Sequence, residues 1–487
     1  MHITNQKCFL SFALIAVMLT GCAGNSSSLS VLENEPVVTY TGTVSGKTET
    51  SPSKTKDDTT IMIAVAGEPD AELMKEISDF NAEDNGYFIK TKIYTIENET
   101  IDPKAYRQNM YSADFEFLQD MINTDDIDIV YSGSYVNGSS YESLKSKGAF
   151  VDLYPFLEND SEVNPSTLNS HILELNEVDG KLYGFPTFYT LETIVGREEL
   201  VGDKENWTVD ELLEKWNDAP SGTTLSASPY AESAYRMLFR NVEQFVDYDN
   251  AKVNFDSEDF RKLLEFCGRF PSNGNQKYEG LDWDNVFLFN YSFEGIINAS
   301  AFNDNYYYYG NNRNLTFVGF PSLDGGGALL KDNGIRFSIC SSSSDEKKRG
   351  AWEFIRRFYT YNYQKKHDIV LAKDVVGNSV FSSENGLCVN DKAFDDIAHE
   401  IISGKYYDEI NASLTEDWQK YQIPTEEDYK ELRRYISETN KWISSPDAEL
   451  RDIVEEDVFA YLAGEQSIDQ TINLIQNRAS LWMSEKS

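Results

Sequence analysis

Residues 60–67 read TIMIAVAG, an apolar run of strand length that ends on a glycine. A helical pattern follows at once, with Leu73, Ile77 and Phe80 on one face. The alternation then repeats. FIKTKIYTI (88–96) reads as a second strand, a helix is expected around 110–122, and IDIVYSG (127–133) reads as a third strand. Strands that alternate with helices imply a parallel sheet covered by helices, hence an α/β fold. In such sheets ligands gather at the carboxyl ends of the strands. Gly67-Glu68 and Ser132-Gly133-Ser134-Tyr135 fall at those ends.

Working outward, 487 residues are too many for one simple core and imply two lobes. The alternation continues past residue 200, so the second half is expected to be α/β or mostly helical. Several helix starts are marked. Thr208 with Glu211 forms a capping box, as does Ser467 with Gln470, and Ser343 with Glu346 is a third candidate before AWEFIRRFY. Ile468, Ile472, Ile475, Ala479 and Trp482 make a core-facing stripe on the last helix. The formal net charge of -38 argues against nucleic acid or anionic lipid headgroups as partners of the body.

The amino terminus, MHITNQKCFLSFALIAVMLTGC, has Lys7 followed by an apolar run over 8–20. That run has signal-peptide length rather than membrane-spanning length. Leu19-Thr20-Gly21-Cys22 resembles a lipobox. The expectation is a signal peptide over 1–21, lipid on Cys22 and a Ser/Thr/Gly-rich tether over 22–59; an ordinary signal peptide is the alternative. The tether's extended reach is on the order of 100 Å. Cys267, Cys340 and Cys388 have no CxxC spacing. Each is expected to pack as a small hydrophobe, with a single disulfide among them as the alternative.

Several stretches in order resemble the extracellular solute-binding proteins of ABC importers, in the family 1 group that includes maltose-type sugar receptors. They are KGAFVDLYPFL (147–157), DGKLYGFPTFYT (179–190), WTVDELLEK (207–215), FEGIINASAF (293–302), LTFVGFPSLDGGG (315–327), RFSICSSSSDEKKRGAWEFIRRF (336–358) and YLAGEQSIDQTINLIQNR (461–478). The resemblance covers roughly 60–487. It implies a two-lobe, periplasmic-binding-protein-like fold with an interlobe hinge and cleft. One lobe would take 60–186 plus 320–360 and the other 190–316 plus 362–487, joined by two or three crossing strands. Ligand would bind in the cleft, and the lobes would close by hinge bending. Three places depart from the family pattern. Val195-Gly196-Arg197-Glu198-Glu199-Leu200 stands where the family has YNKxLf, Phe302 stands for a tryptophan, and Arg451 lies near an expected aromatic.

A sugar offers CH faces to aromatic rings and hydroxyls to fixed polar groups. On that basis the candidate ligand residues, each with a structural alternative, lie at strand ends and crossings. Glu68 is a contact or a carboxylate favoured by a helix start. Ser132, Ser134 and Tyr135 are contacts or turn formers. Phe188, Tyr189 and Thr190 are contacts or hinge packing. Trp283 and Asp284 are contacts or a capped helix start. Phe302, at the end of the strand that the resemblance implies over 296–302, aligns with the family's stacking aromatic, and Asn303, Asp304 and Asn305 follow it as contacts or a polar turn. Asp324 and Gly325 to Gly327 bring backbone to the cleft or form a flexible turn. The tyrosine run Tyr306–Tyr309 would begin a helical turn or loop that leaves the site.

Four histidines make no HExxH or other metal spacing, and neither GxSxG nor a phosphate loop occurs. No metal or cofactor is expected and no covalent chemistry. The function implied is a monomeric receptor, lipid-anchored at the extracellular face of the cell membrane. It would deliver a mono- or oligosaccharide to ABC permease subunits. The rival readings are a surface carbohydrate hydrolase and an adhesin or sensor without a transporter.

Overall fold

The computed structural model describes residues 59–66, 71–94, 126–132, 144–145, 147–240, 242–247, 250–272, 283–302, 306–308, 311–323, 325–333, 335–367, 370–373, 379–382, 386–405, 423–443 and 448–486. The signal segment with Cys22, the tether and the helix expected near 110–122 lie outside them.

Thr59–Ala66 pairs in parallel with both Tyr87–Tyr94 and Ile129–Ser132, as the strand–helix alternation requires. Arg336–Ile339 joins the far side of Ile129–Ser132 in antiparallel register and completes a four-stranded sheet. Both faces are covered, so its strands read as continuous apolar runs. Ile61, Ile63 and Val65 pack with Leu73, Ile77 and Phe80 of the helix Ala71–Asn81. Ala64 and Val130 pack on the other side with Phe150 and Cys340.

One buried acid stabilises this sheet. Asp128 has no exposed surface, and its carboxylate accepts from Met62 N–H (2.9 Å), Ser343 O–H (2.6 Å) and Lys347 Nζ (3.0 Å). A carboxylate taken out of water must be fully partnered. That demand corrects an expectation: Ser343 is not the cap of the next helix. Ser344 caps Asp345–Ile355 by accepting from Lys347 N–H, because the hydroxyl of Ser343 is committed to Asp128.

The larger sheet is organised on Phe188–Arg197, which pairs antiparallel with Leu288–Phe293, Leu315–Phe317, Leu329–Asp332 and Leu387–Cys388. Trp442–Ile443 adds beyond Leu329–Asp332. One core includes Ile194, Leu288 and Leu329 with residues of the helices Val209–Asn217, Ala231–Leu238, Glu258–Cys267, Ala448–Leu462 and Ile468–Lys486. Ile472, Ile475, Ala479 and Trp482 of the last helix are buried there, as their spacing predicts. The capping boxes at Thr208/Glu211 and Ser467/Gln470 form in both directions. The other core covers the opposite side with the helices Asp391–Ile402 and Glu426–Glu438.

Three further expectations are corrected. The strand of the FEGIINASAF stretch ends earlier: Leu288–Phe293 is the strand and Ile296–Phe302 is a 3-10 helix. Asn298 Oδ1 accepts from the N–H groups of Glu294 (3.2 Å) and Gly295 (3.0 Å), which satisfies the backbone locally and ends the ladder. The tyrosine run does not begin a helical turn. Tyr306–Tyr308 pairs with Asn311–Arg313 in a hairpin, consistent with the strand preference of aromatic residues. The chain also returns to the smaller sheet later than residue 320. Leu329–Asp332 still belongs to the larger sheet, and the passage runs through 333–335.

Cys267, Cys340 and Cys388 are buried free thiols. Burial pushes the Cys340 thiol up to about 12.

Candidate functional site

The site is built where the chain passes twice between the sheets. Pro186 bridges Arg336, Thr187 N–H donates to Ile335 O (2.9 Å), and Asn333 N–H donates to Phe188 O (3.0 Å). The two passages therefore run side by side and antiparallel. Leu387–Cys388 flanks Phe188 and Tyr189 as a third segment.

Side chains fix this crossing. Arg336 donates to both oxygens of Asp332 (2.8 and 3.0 Å), to Gly184 O (3.1 Å) and to Asn176 (2.6 Å). Gln364 is fully buried. Its amide donates to Thr187 O (2.8 Å) and Phe358 O (2.9 Å), and its carbonyl accepts from Val389 N–H (2.8 Å) and Asn390 N–H (3.2 Å). Such a network holds three chain segments together without a continuous ladder.

On one side of the crossing lie the carboxyl ends of the smaller sheet. Ser132 is in register with Arg336, so that strand ends beside the passage. The neighbouring strand ends at Ala66 on the same edge. Ser134, Tyr135 and Glu68 follow these ends in sequence and lie outside the described residues, as do Asn303, Asp304, Asn305 and Asp324.

On the other side lies the larger sheet, whose central strand shows alternate side chains to opposite faces. Leu191, Thr193 and Val195 belong to the face closed by helices. Thr190, Glu192 and Ile194 belong to the other, where Lys331 is in register with Thr190, and Leu329 and Ser292 with Glu192. This second face changes character along its length. Ile194, Leu288 and Leu329 are buried under helices, whereas the end nearest the crossing carries a buried Thr190 and the partly exposed Glu192 and Lys331. Thr190 lies four residues beyond Pro186, ~13 Å along the strand.

Glu192 is the centre of that polar end. Arg240, just past the helix Ala231–Leu238, donates to both its oxygens (2.8 and 2.9 Å), and Lys331 Nζ approaches to 3.4 Å. Burial alone would raise the Glu192 carboxyl, but the Arg240 hydrogen bonds and both cations outweigh it and hold the group below the usual range. Side-chain exposure is 16% for Glu192, 47% for Arg240 and 42% for Lys331, so an anchored carboxylate carries two cations that reach the surface. None of the three was foreseen from the sequence. The available signal was a charge inside each of two apolar strand runs, TLETIVG and ALLKD.

The remaining expected residues are dispersed. Phe188 and Tyr189 are buried at the crossing, Phe188 tilted against Tyr363 with ring centres 6.5 Å apart. The Tyr189 hydroxyl is buried and has no partner among the described residues. Burial raises its pKa. Phe302 is on the closed side: its ring stacks on Phe317 (4.4 Å) and Phe293 (5.2 Å) and meets Tyr435 edge-on (5.9 Å). Those rings engage it at the edge of the core, where it is partly buried. Trp283 and Asp284 form a 3-10 turn at the far end of the sheet, where Arg197 ion-pairs with Asp284 at 3.7 Å. The eight-residue rise from Tyr189 to Arg197 puts that turn about 25 Å from the crossing. Gly325 takes a left-handed φ of 102°. The glycine turn brings backbone to backbone, Gly326 N–H donating to Trp207 O at 2.8 Å, and not to an open face.

Among the described residues no cluster of three His, Cys, Asp or Glu side chains is placed to hold a metal ion, and no helix is long and apolar enough to cross a membrane. No family model matches the chain. No curated protein sequence matches it. Solved structures do. The sugar-binding protein MalE from Xanthomonas citri has 14% identity and a TM-score of 0.50, with 88% of this chain and 98% of that chain covered. The extracellular solute-binding protein family 1 from Alicyclobacillus acidocaldarius has 12% identity and a TM-score of 0.49, covering 88% and 100%. An ABC transporter solute-binding protein from Agrobacterium radiobacter, in complex with ribitol, has 16% identity and a TM-score of 0.48, covering 88% and 100%. The MalE likeness shows the fold, which is the two-lobe α/β arrangement of that protein.

Proposed function

We propose that this chain is an extracellular solute-binding receptor that captures a small sugar and presents it to an ABC permease. The observation that carries the reading is the paired crossing, with strand ends of one sheet on one side and the half-open polar face of Thr190, Glu192 and Lys331 on the other. A ligand held between two lobes biases an open–closed equilibrium only through contacts made to both. The MalE fold, seen in a protein described as sugar-binding, supports the sugar class.

In this reading the lobes are 60–186 plus 336–360 and 190–332 plus 362–487, with 333–335 as the second passage. The lipobox-like Leu19-Thr20-Gly21-Cys22 supports a lipid anchor at Cys22 on the extracellular face. The receptor works as a monomer and performs no turnover. The described polar face gives a hydrolase little to use: Glu192 is held ionised with both oxygens engaged, which disqualifies it as a general acid.

Thermal shift and calorimetry against mono- and oligosaccharides test the proposal, with small-angle scattering on any binder. A ligand at 100 times its Kd adds about 2.7 kcal/mol of stability. Saturation should also reduce the scattering radius. Hydrolysis of an oligosaccharide by the purified protein, or no binding across the panel, would overturn the receptor reading.

A further inference from the structure

The polar face has a donor excess that specifies its ligand more closely than the fold does. Glu192 is the acceptor at its centre, and both oxygens are engaged by Arg240 (2.8 and 2.9 Å), with Lys331 sharing one of them at 3.4 Å. Arg240 spends only Nε–H and one Nη2–H on that contact. A guanidinium has five N–H groups and an ammonium three, so most donors of Arg240 and Lys331 remain uncommitted among the described residues. Both side chains are more than two-fifths exposed. The nearest other carboxylate on the strand, Asp332, is tied by Arg336 and does not reach back to neutralise them.

Formal charges of one carboxylate and two cations leave the cluster net positive. It sits in a chain whose net charge is -38. A solvated acidic surface needs no explanation, but an anchored, surface-reaching pair of cations on the strand that leaves the crossing does. A neutral sugar hydroxyl that accepts from such donors already makes a charge-assisted hydrogen bond. A carboxylate adds the attraction of its own charge to the net positive cluster and can accept from both cations at once. The chain's overall negative field is screened beyond a Debye length of about 8 Å at physiological salt, so the local cations decide the encounter at contact range.

We infer that the ligand is an acidic sugar, a uronic acid or uronate-containing oligosaccharide, whose carboxylate is received by Lys331 and Arg240 on the anchor of Glu192. The inference rests on the receptor reading above and names its substrate class.

Calorimetry on the intact protein should compare di- and trisaccharides of galacturonate, glucuronate, mannuronate and guluronate with their methyl esters. The matched neutral sugars complete the panel. The acid form of at least one should bind tenfold or more tighter than its ester, and raising salt from 50 to 500 mM should weaken the acid form alone. Lys331→Gln should remove most of that acid preference while its thermal midpoint stays near the wild type. Lys331→Arg should retain it. A neutral sugar that binds while every uronate fails, or acid and ester that bind equally, overturns the inference and leaves the receptor reading standing. No binding of any sugar overturns both.

Discussion

The two faces of the strand Phe188–Arg197 differ in how completely they are closed. The face with Leu191, Thr193 and Val195 is closed by rings: Phe293, Phe302, Phe317 and Tyr435 lie against one another, and Tyr435 O–H is 2.9 Å from Thr193 Oγ1. The face with Thr190 and Glu192 is closed only part way, and its open end is ionic. Aromatic rings make core on both faces, since Trp207 and Phe287 share a cluster with Ile194 on the second. What sets the second face apart is a set of charged groups held in place with donors to spare.

The difference can be broken in three places. The largest effect is expected at Phe302→Ala, which removes a ring from the closed face and should cost about 3 kcal/mol in urea unfolding. Ligand affinity, extrapolated to the fully folded fraction, should stay within a factor of about two. A large affinity loss at unchanged stability would instead place Phe302 in the site.

Glu192→Gln probes the open face. Arg240 is nearly half exposed, so solvent screening limits the stability cost at pH 7 to about 1 kcal/mol. The sign with pH follows from the depressed carboxyl. Its contribution is complete above the ordinary glutamate value of ~4.3 and is lost as pH falls through the lower folded value. The gap between wild type and Glu192→Gln should thus close between pH 5 and 3 in denaturant titrations. A gap that widens on acidification would contradict the ion pairing.

Tyr189→Phe is the smallest and has the opposite sign. Removing a buried hydroxyl without a partner should leave stability unchanged or raise it by up to ~1 kcal/mol. A loss above that, read from the same titrations, would mean the hydroxyl is bonded within the closed side.

Much of the fold was legible because it is written in local periodicity. TIMIAVAG and IDIVYSG pair in parallel, Thr208/Glu211 and Ser467/Gln470 cap as boxes, and the last helix buries its stripe. Expectations slipped where another group, near or distant in sequence, competed for a side chain or a backbone. Ser343 was claimed by Asp128, 215 residues away, so the cap moved by one. Asn298 folded back on Glu294 and Gly295, so a strand became a 3-10 helix and Phe302 moved from a strand end into a ring cluster.

The sequence by itself determined the α/β class and the parallel core of the smaller sheet, because hydrophobic period and turn chemistry act over a few residues. The vicinity of the crossing at Phe188, Tyr189 and Thr190 came from the family resemblance of DGKLYGFPTFYT (179–190). Only the tertiary structure decided which face of that crossing strand is open. It joined Glu192 to Arg240 and Lys331, 48 and 139 residues away, and no local pattern encodes such a meeting. Burial is a property of what packs on a strand from elsewhere in the chain. A glutamate in an apolar run reads as an anomaly until the residues that neutralise it are brought beside it.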